Sequence, residues 1–333
     1  MFMKTEKTVF SSIFRKEIQS YLDQIQSAYS KSWYEHNRSV LKNFDFYLSS
    51  IQLKGKTITE PIVTEWIRGL HGSNRTIAQY IMISRKFLGY LLADGDIVYI
   101  PLQPYEKRSY IPYIFSDDEI ERIFTNADLL KNSDHTRKNK KIHIQIAMIL
   151  RILYGCGLRV GETVALKVSD VDFDTGVITL KEAKNRKQRL VPMHETLTPI
   201  LKQYCAAMGI LHIPTAYLFQ TINHEEHITV KNAKHKFDDL LNSSNIRMPD
   251  RKFHERGPCL HCLRHIFTIK SFANLEAIGM PLNDIIPYIS VYLGHENFKA
   301  TEQYLKFSPD LFPEELDKFA DFTSDIIPEE IYE

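Results

Sequence analysis

Through most of the first hundred positions, apolar residues recur at steps of three and four. In "SSIFRKEIQSYLDQIQSAY" and "SKSWYEHNRSVLKNFDFYLSSI" this spacing gathers them on one helix face, because 3.6 residues complete a turn. Thr59-Glu60-Pro61 and Ser73 supply start signals for two further helices, since a hydroxyl caps free amides and proline fits a first helical turn. Residues 11 to 97 are therefore predicted to be helical throughout, as a four-helix unit. The pattern stops at "PLQPYEKRSYIP", where Pro101, Pro104 and Pro112 cannot continue a helix, and a linker between two domains is predicted there.

A new pattern starts at "FSDDEIERIF", with Ser116 as N-cap and acids in the first turn, where the helix dipole favours negative charge. The apolar run "IHIQIAMILRILYGCG" predicts a long helix. After it, "VITLKEA" and "QRLVPM" are strand-like, Asp174-Thr175-Gly176 is a turn and "KNRK" is a hairpin tip. The remainder to about Phe322 reads mainly as helices. The expected fold is mainly α with a small antiparallel β-sheet, divided as a helical domain 1–100, a linker 101–112, a second α+β domain 113–309 and a tail 310–333.

Composition narrows the class. The chain has 333 residues, 44% hydrophobic and 25% charged, enough for two cores. No apolar run approaches the roughly 20 residues of a membrane span, and "MFMKTEKTVF" lacks the apolar centre of a secretory signal, so a cytoplasmic protein with no membrane partner is expected. Four cysteines are too few for a disulfide framework, and Cys156 and Cys205 are expected to be buried thiols.

Charge changes the picture more. Asp310 to Glu333 holds nine acidic residues and one basic one, Lys318, so residues 1–309 carry 41 basic against 32 acidic side chains. Basic residues cluster in "RKNKK" and "KEAKNRKQR". A basic body with an acidic tail points to a polyanionic partner, although charge runs also serve simply as solvated faces.

Candidate chemistry lies in the second domain. Arg159 in "GCGLRVGE" has Gly157 and Gly161 beside it, which permit a tight turn, and Glu162 one helical turn on to hold its guanidinium. The same residues would also suit a helix-end ion pair. In "HCLRHIF", His261 and Arg264 share a helical face at i and i+3, from which both could reach a phosphate, while His265 points elsewhere. Lys184 on the hairpin could protonate a leaving alkoxide if Arg186, Lys187 and Arg189 lower its pKa. "LGHENFKATEQYL" adds His295 and, nine positions on, Tyr304. Phosphodiester transfer needs a nucleophile, cations on the non-bridging oxygens and a proton for the leaving oxygen. Tyr304, the two arginines with two histidines, and Lys184 would provide these in turn. No carboxylate cluster for Mg²⁺ is found in the second domain. "PCLHCLRH" offers Cys259, His261, Cys262 and His265 as zinc ligands, but no second CxxC completes a site.

The order Arg159, Lys184, "HCLRH", "LGH" and Tyr304 resembles the signature of the tyrosine recombinases, the family of the phage integrases, Xer proteins and Cre. The resemblance runs from about Tyr113 to Tyr304, with Arg159 and Glu162 in "GLRxGE", Lys184 before "R-hydrophobic-V-P", and His261, Arg264 and His265 in "HxLRH". It implies a site-specific recombinase acting through a 3′-phosphotyrosyl DNA intermediate, with Tyr304 as nucleophile and no metal or other cofactor. It also implies a helical core-binding domain at the front, a duplex with an inverted-repeat core site as partner, and a homotetramer at synapsis. Lys107, Arg108, Lys181, Arg186, Lys187 and Arg189 are expected on the DNA. A type IB topoisomerase uses a similar residue set, and a catalytically inert DNA-binding protein is the other alternative. The thirty residues from Arg264 to His295 exceed the usual family spacing, so an insertion is expected within 265–294. It would leave the catalytic residues in place if it projected outward. Tyr288 and Tyr292, the nearest rival nucleophiles, are expected in the core of a helix. In the tail, Phe312, Leu316 and Phe319 follow one apolar stripe near Pro313, which predicts a helix in need of a groove; the resemblance implies docking on a neighbouring protomer, the alternative being packing on its own domain over the basic surface.

Overall fold

The computed structural model describes residues 10–53, 55–104, 112–130, 142–181, 188–221, 225–246, 257–295, 297–302 and 304. The chain divides into two compact units, Met1–Ser109 and Tyr110–Glu333.

The first unit is built on helices α1 (Arg15–Gln26), α2 (Lys31–Ser50), α3 (Glu60–Arg68) and α4 (Asn74–Ala93). Ser30 and Ser73 cap α2 and α4, their hydroxyls accepting from the amides of Trp33 and Thr76, and each such cap stabilises its helix by about 1 kcal/mol. Ile18, Leu22, Leu41, Phe44, Leu48, Phe87 and Leu91 meet in the core, as their three- and four-residue spacing requires. The expectation of helix throughout fails at two places. Thr57–Ile58 (β1) and Ile97–Val98 (β2) pair as parallel strands, and the Tyr99 amide also donates to the Ile58 carbonyl at 2.7 Å. Two residues per strand leave no periodicity to read, and the bridge joins positions some forty residues apart.

The second unit opens with α5 (Asp117–Leu129), whose capping box is complete. Ser116 Oγ accepts from the Glu119 amide, and Glu119 accepts from the Ser116 amide. Helix α6 (Ile142–Cys156) is apolar nearly all round because it runs through the core, with Ile146, Ile149, Leu150, Ile152 and Leu153 buried. The short helix α7 (Val160–Val164) leads through a 3₁₀ turn, Val168–Asp170, to a three-stranded antiparallel sheet of β3 (Val171–Asp172), β4 (Val177–Leu180) and β5 (Arg189–Pro192), in that order. Strand β3 has no counterpart in the sequence reading. Ile178 faces Val191 across the β4–β5 register and both are buried. Helices α8 (Leu197–Ala207), α9 (Val230–Ser243), α10 (Leu260–Ala277), α11 (Leu282–Leu293) and α12 (Lys299–Glu302) complete the described unit.

Residues 265–294, where an insertion is expected, are the remainder of α10 followed by α11. They pack inward, with Ile285, Ile289 and Leu293 of α11 clustered on Ile269, Phe272 and Tyr304. The thirty residues are thus the scaffold that carries His295. Tyr288 departs from its expected core position, being 62% exposed. Tyr292 is half-buried and donates to the Pro192 carbonyl at 3.3 Å. Among the described residues no helix is long and apolar enough to cross a membrane.

Candidate active site

Helix α6 ends at Gly157, whose φ of +60° is left-handed, and a Cβ there would lie 2.3 Å from the Phe267 ring. Glycine is therefore required both by the turn and by the approach of α10. Gly161 is not, since nothing lies within 4 Å of a Cβ built on it, and the expectation that both glycines shape the turn is corrected to Gly157. Arg159 then becomes the residue preceding α7. Glu162 Oε2 accepts from its backbone amide at 2.9 Å and Oε1 from its guanidinium at 2.8 Å, the i,i+3 grip anticipated from the spacing.

Glu162 also accepts two bonds from Arg189, at 3.1 and 2.7 Å. Burial pushes this carboxyl upward, but the bonds from Arg189 and from the Arg159 amide, with the charges of both guanidiniums, hold it at about 2. Arg189 was expected against DNA. Its side chain is instead only 9% exposed and turned inward, because a buried carboxylate must be paired and a planar fork pairs it best. Sequence spacing gives no sign of this contact, which joins β5 to α7 across 27 positions.

Arg264 sits in the first turns of α10 and is 1% exposed. It donates to the Gly157 carbonyl at 2.7 Å and the Leu293 carbonyl at 2.9 Å, and meets His295 Nε2 at 3.2 Å. Burial and the charge of Arg159 lower its pKa to about 10, so it remains a cation at neutral pH. Arginine has no acceptor, so His295 Nε2 must accept, and its Nδ1 carries the proton. That proton is donated to Thr301 Oγ1 at 2.7 Å. Burial, then Arg264 and Arg159, lower His295 to about 4, in keeping with a neutral ring.

Tyr304 is buried at 5% exposure, and its hydroxyl lies 3.0 Å from His265 Nδ1. Burial raises its pKa, against the pull of the Arg264 charge. His265 is held near 3 by burial and by His261 and Arg264. His261 is exposed one turn before His265, with ring centroids 4.7 Å apart. The sequence reading aimed His265 away from the site; the structure points it at Tyr304, and the fourth-residue spacing from His261 was the available signal. Lys181 is exposed and paired with Asp170 at 2.7 Å. Lys184, Arg186, Lys187, Lys107 and Arg108 lie outside the described residues, as does the tail. Cys156 and Cys205 are buried thiols. Among the described residues no group of three or more His, Cys, Asp or Glu is arranged to hold a metal.

Residues from α7, β5, α10 and the turn after α11 thus converge on one site. The family model of the phage integrases matches residues 114–309. The chain belongs to the phage integrase family. The y4rB protein of Sinorhizobium fredii, named among integrases and recombinases, is 30% identical over 240 residues, 69% of this chain and 73% of its own. The tyrosine recombinase XerD of Listeria innocua is 28% identical over 274 residues, covering 78% and 83%. A solved structure of the XerH site-specific recombinase bound to a palindromic difH substrate shares the fold at a TM-score of 0.63, with 18% identity over 86% of this chain and 79% of that one. As a phage integrase family member the protein is a tyrosine-type site-specific recombinase, which breaks and rejoins DNA strands; neither the topoisomerase reading nor the inert one finds support in these relatives.

The turn after α11 tests how tightly the site is built. Gly294 has φ +65°, and a Cβ there would lie 2.8 Å from Arg189 Nη1. Its carbonyl accepts from Arg159 at 3.2 Å. Gly294→Ala is expected to lose about 1–2 kcal/mol from the left-handed backbone alone and to push Arg189 off Glu162. Both a lower melting temperature and slower strand cleavage should follow, and a variant cleaving at the wild-type rate would show that this contact is dispensable.

His265, buried, and His295, half-buried, set an acid response. Their folded pKa values, about 4 for His295 and about 3 for His265, lie below the ordinary 6.5, so the unfolded chain takes up protons first as pH falls. Stability should therefore decline from about pH 6.5 to about 4, with His265 extending the decline toward 3. Glu162, held at about 2, contributes fully above its ordinary 4.5 and loses that contribution toward pH 2. Melting temperature measured against pH reads this directly. His295→Gln should flatten the upper part of the slope, and an unchanged slope would remove His295 as its cause.

Proposed function

We propose that Tyr304 is the nucleophile of this recombinase, attacking a DNA phosphodiester to leave a 3′-phosphotyrosyl bond and a free 5′-hydroxyl. Arg159 and Arg264 neutralise the non-bridging oxygens, His261 adds a hydrogen bond, His295 adds another once substrate displaces its contact with Arg264 and its ring proton moves to Nε2, and Lys184 protonates the leaving oxygen. His265 Nδ1, 3.0 Å from the phenol, holds the nucleophile's oxygen in place. Glu162 and Arg189 position Arg159.

The observation that carries this reading is the gathering of both guanidiniums, two imidazoles and a phenol from positions 145 residues apart in the chain, with Arg264 touching His295 and His265 touching Tyr304. A pair of fixed cations beside an oxygen nucleophile matches the charge that develops on a phosphorane-like transition state. The partner is double-stranded DNA with an inverted-repeat core site, held by two protomers and joined into a tetramer for exchange. The unit Met1–Ser109 serves as the core-binding domain, Lys107, Arg108, Lys181, Arg186 and Lys187 contact phosphates, and the tail docks on a neighbouring protomer. The enzyme works in the cytoplasm.

Exchange between two duplexes tests the reading. Incubated with two labelled duplexes bearing its core site, the protein should produce recombinant strands in EDTA as well as without it. Relaxation of a supercoiled circle as a monomer, with no exchange, would instead favour the topoisomerase chemistry.

A further inference from the structure

In "PCLHCLRH" two thiols flank His261 in the first turn of α10. Cys259 is the residue before the helix, with φ −155° and ψ 166°, and its side chain does not cap the helix. Cys262 lies in the first turn, where its amide donates to the Cys259 carbonyl at 2.9 Å. That bond closes the turn and brings the two Sγ atoms to 3.5 Å. A disulfide needs about 2.05 Å, a shortfall that rotation of Cys259 can close because its backbone is outside the helix. Cys259 is half-buried, whereas Cys262, Cys156 and Cys205 are buried, so the most accessible of the four thiols is the one with a sulfur neighbour.

We propose that Cys259 and Cys262 form a reversible oxidation site, which a hydroperoxide closes to a disulfide and thereby switches strand cleavage off. The Cys259 thiolate attacks the peroxide oxygen, giving a sulfenic acid and releasing water or an alcohol. The Cys262 sulfur then attacks the sulfenyl sulfur, the S–S bond forms and water leaves. Two thiol hydrogens and two electrons have passed to the peroxide. The Cys262 thiol is pushed upward by its contact with Cys259 and by burial, so it keeps its proton while Cys259 reacts. Because His261 lies between the two cysteines and Arg264 follows two positions later, closing the ring shifts the turn that aims both. A displacement of about 1 Å at such a site costs roughly 10²-fold in rate.

The effect on rate rests on the catalytic reading above; the bond itself does not. The full chain is treated with hydrogen peroxide, its disulfide mapped by peptide mass spectrometry without DNA, and its cleavage of a nicked duplex measured before and after dithiothreitol. A Cys259–Cys262 bond, cleavage roughly 10²-fold slower and recovery on reduction are expected. Cys259→Ser, whose serine suits an N-cap, and Cys262→Ala should keep their rate and resist peroxide. Absence of that bond in the wild type, or a bond that leaves cleavage unchanged, overturns the proposal. So does equal peroxide sensitivity in either variant. If the reduced protein does not cleave at all, the catalytic reading has failed while the mapping still decides whether the thiols pair.

Discussion

Tyr304→Phe should bind a nicked suicide duplex and form no covalent adduct with it. The ring stays in its setting of Ile269, Phe272, Ile289 and Leu293, so packing is preserved. The lost hydroxyl contact to His265 costs only about 1 kcal/mol of stability. What disappears is the oxygen that would join to phosphorus. Loss of a nucleophile typically lowers the rate by about 10⁶-fold, which puts the adduct below detection on a denaturing gel. Tyr288 is exposed and Tyr292 half-buried, and an adduct of normal yield in Tyr304→Phe would transfer the role to another tyrosine.

Arg264 is expected to show the second large effect, through both stability and rate. Its guanidinium fills a fully buried position and satisfies the Gly157 and Leu293 carbonyls. Arg264→Ala leaves both acceptors without a donor and a void around them, at about 1–3 kcal/mol per group. A fall of roughly 10 °C in melting temperature should follow for a unit of this size. Rate is better read in Arg264→Lys, which retains the charge and loses the planar fork. Strand cleavage should drop about 10²- to 10³-fold, as for removal of one preorganised donor, while duplex binding stays near wild type because many other phosphate contacts remain. Equal losses in binding and rate would make Arg264 part of the docking surface, and an unchanged melting temperature in Arg264→Ala would mean that the two carbonyls find other donors.

Arg264 also shows where local reading stops. Its motif, with Arg159 and Glu162 in "GLRVGE", His295 in "LGH" and Tyr304 nine residues later, stands in the sequence as short local spacings, because each segment turns at a fixed place or lies along one helix. The helix starts at Ser73 and Ser116 were legible for the same reason: capping is a bond between near neighbours. So was the pairing of β4 with β5, two strand-like runs that stand close together in the chain.

Tertiary contact decided the rest. The pairing of β1 with β2 joins segments too short to carry a period. Ile285, Ile289 and Leu293 bury the stretch before His295 against α10, and only the facing surface distinguishes an inward helix from an outward one. Arg189 carried the same charge as its DNA-directed neighbours in the sequence, and its fate was set by Glu162, a carboxylate that burial would make costly without a second arginine. His265 met Tyr304 because α10 and the residues just after α12 come together 39 positions apart. Spacing along the chain determines which side chains share a face; which face meets a partner, and which charge is buried there, is determined by packing between segments that the local pattern cannot relate.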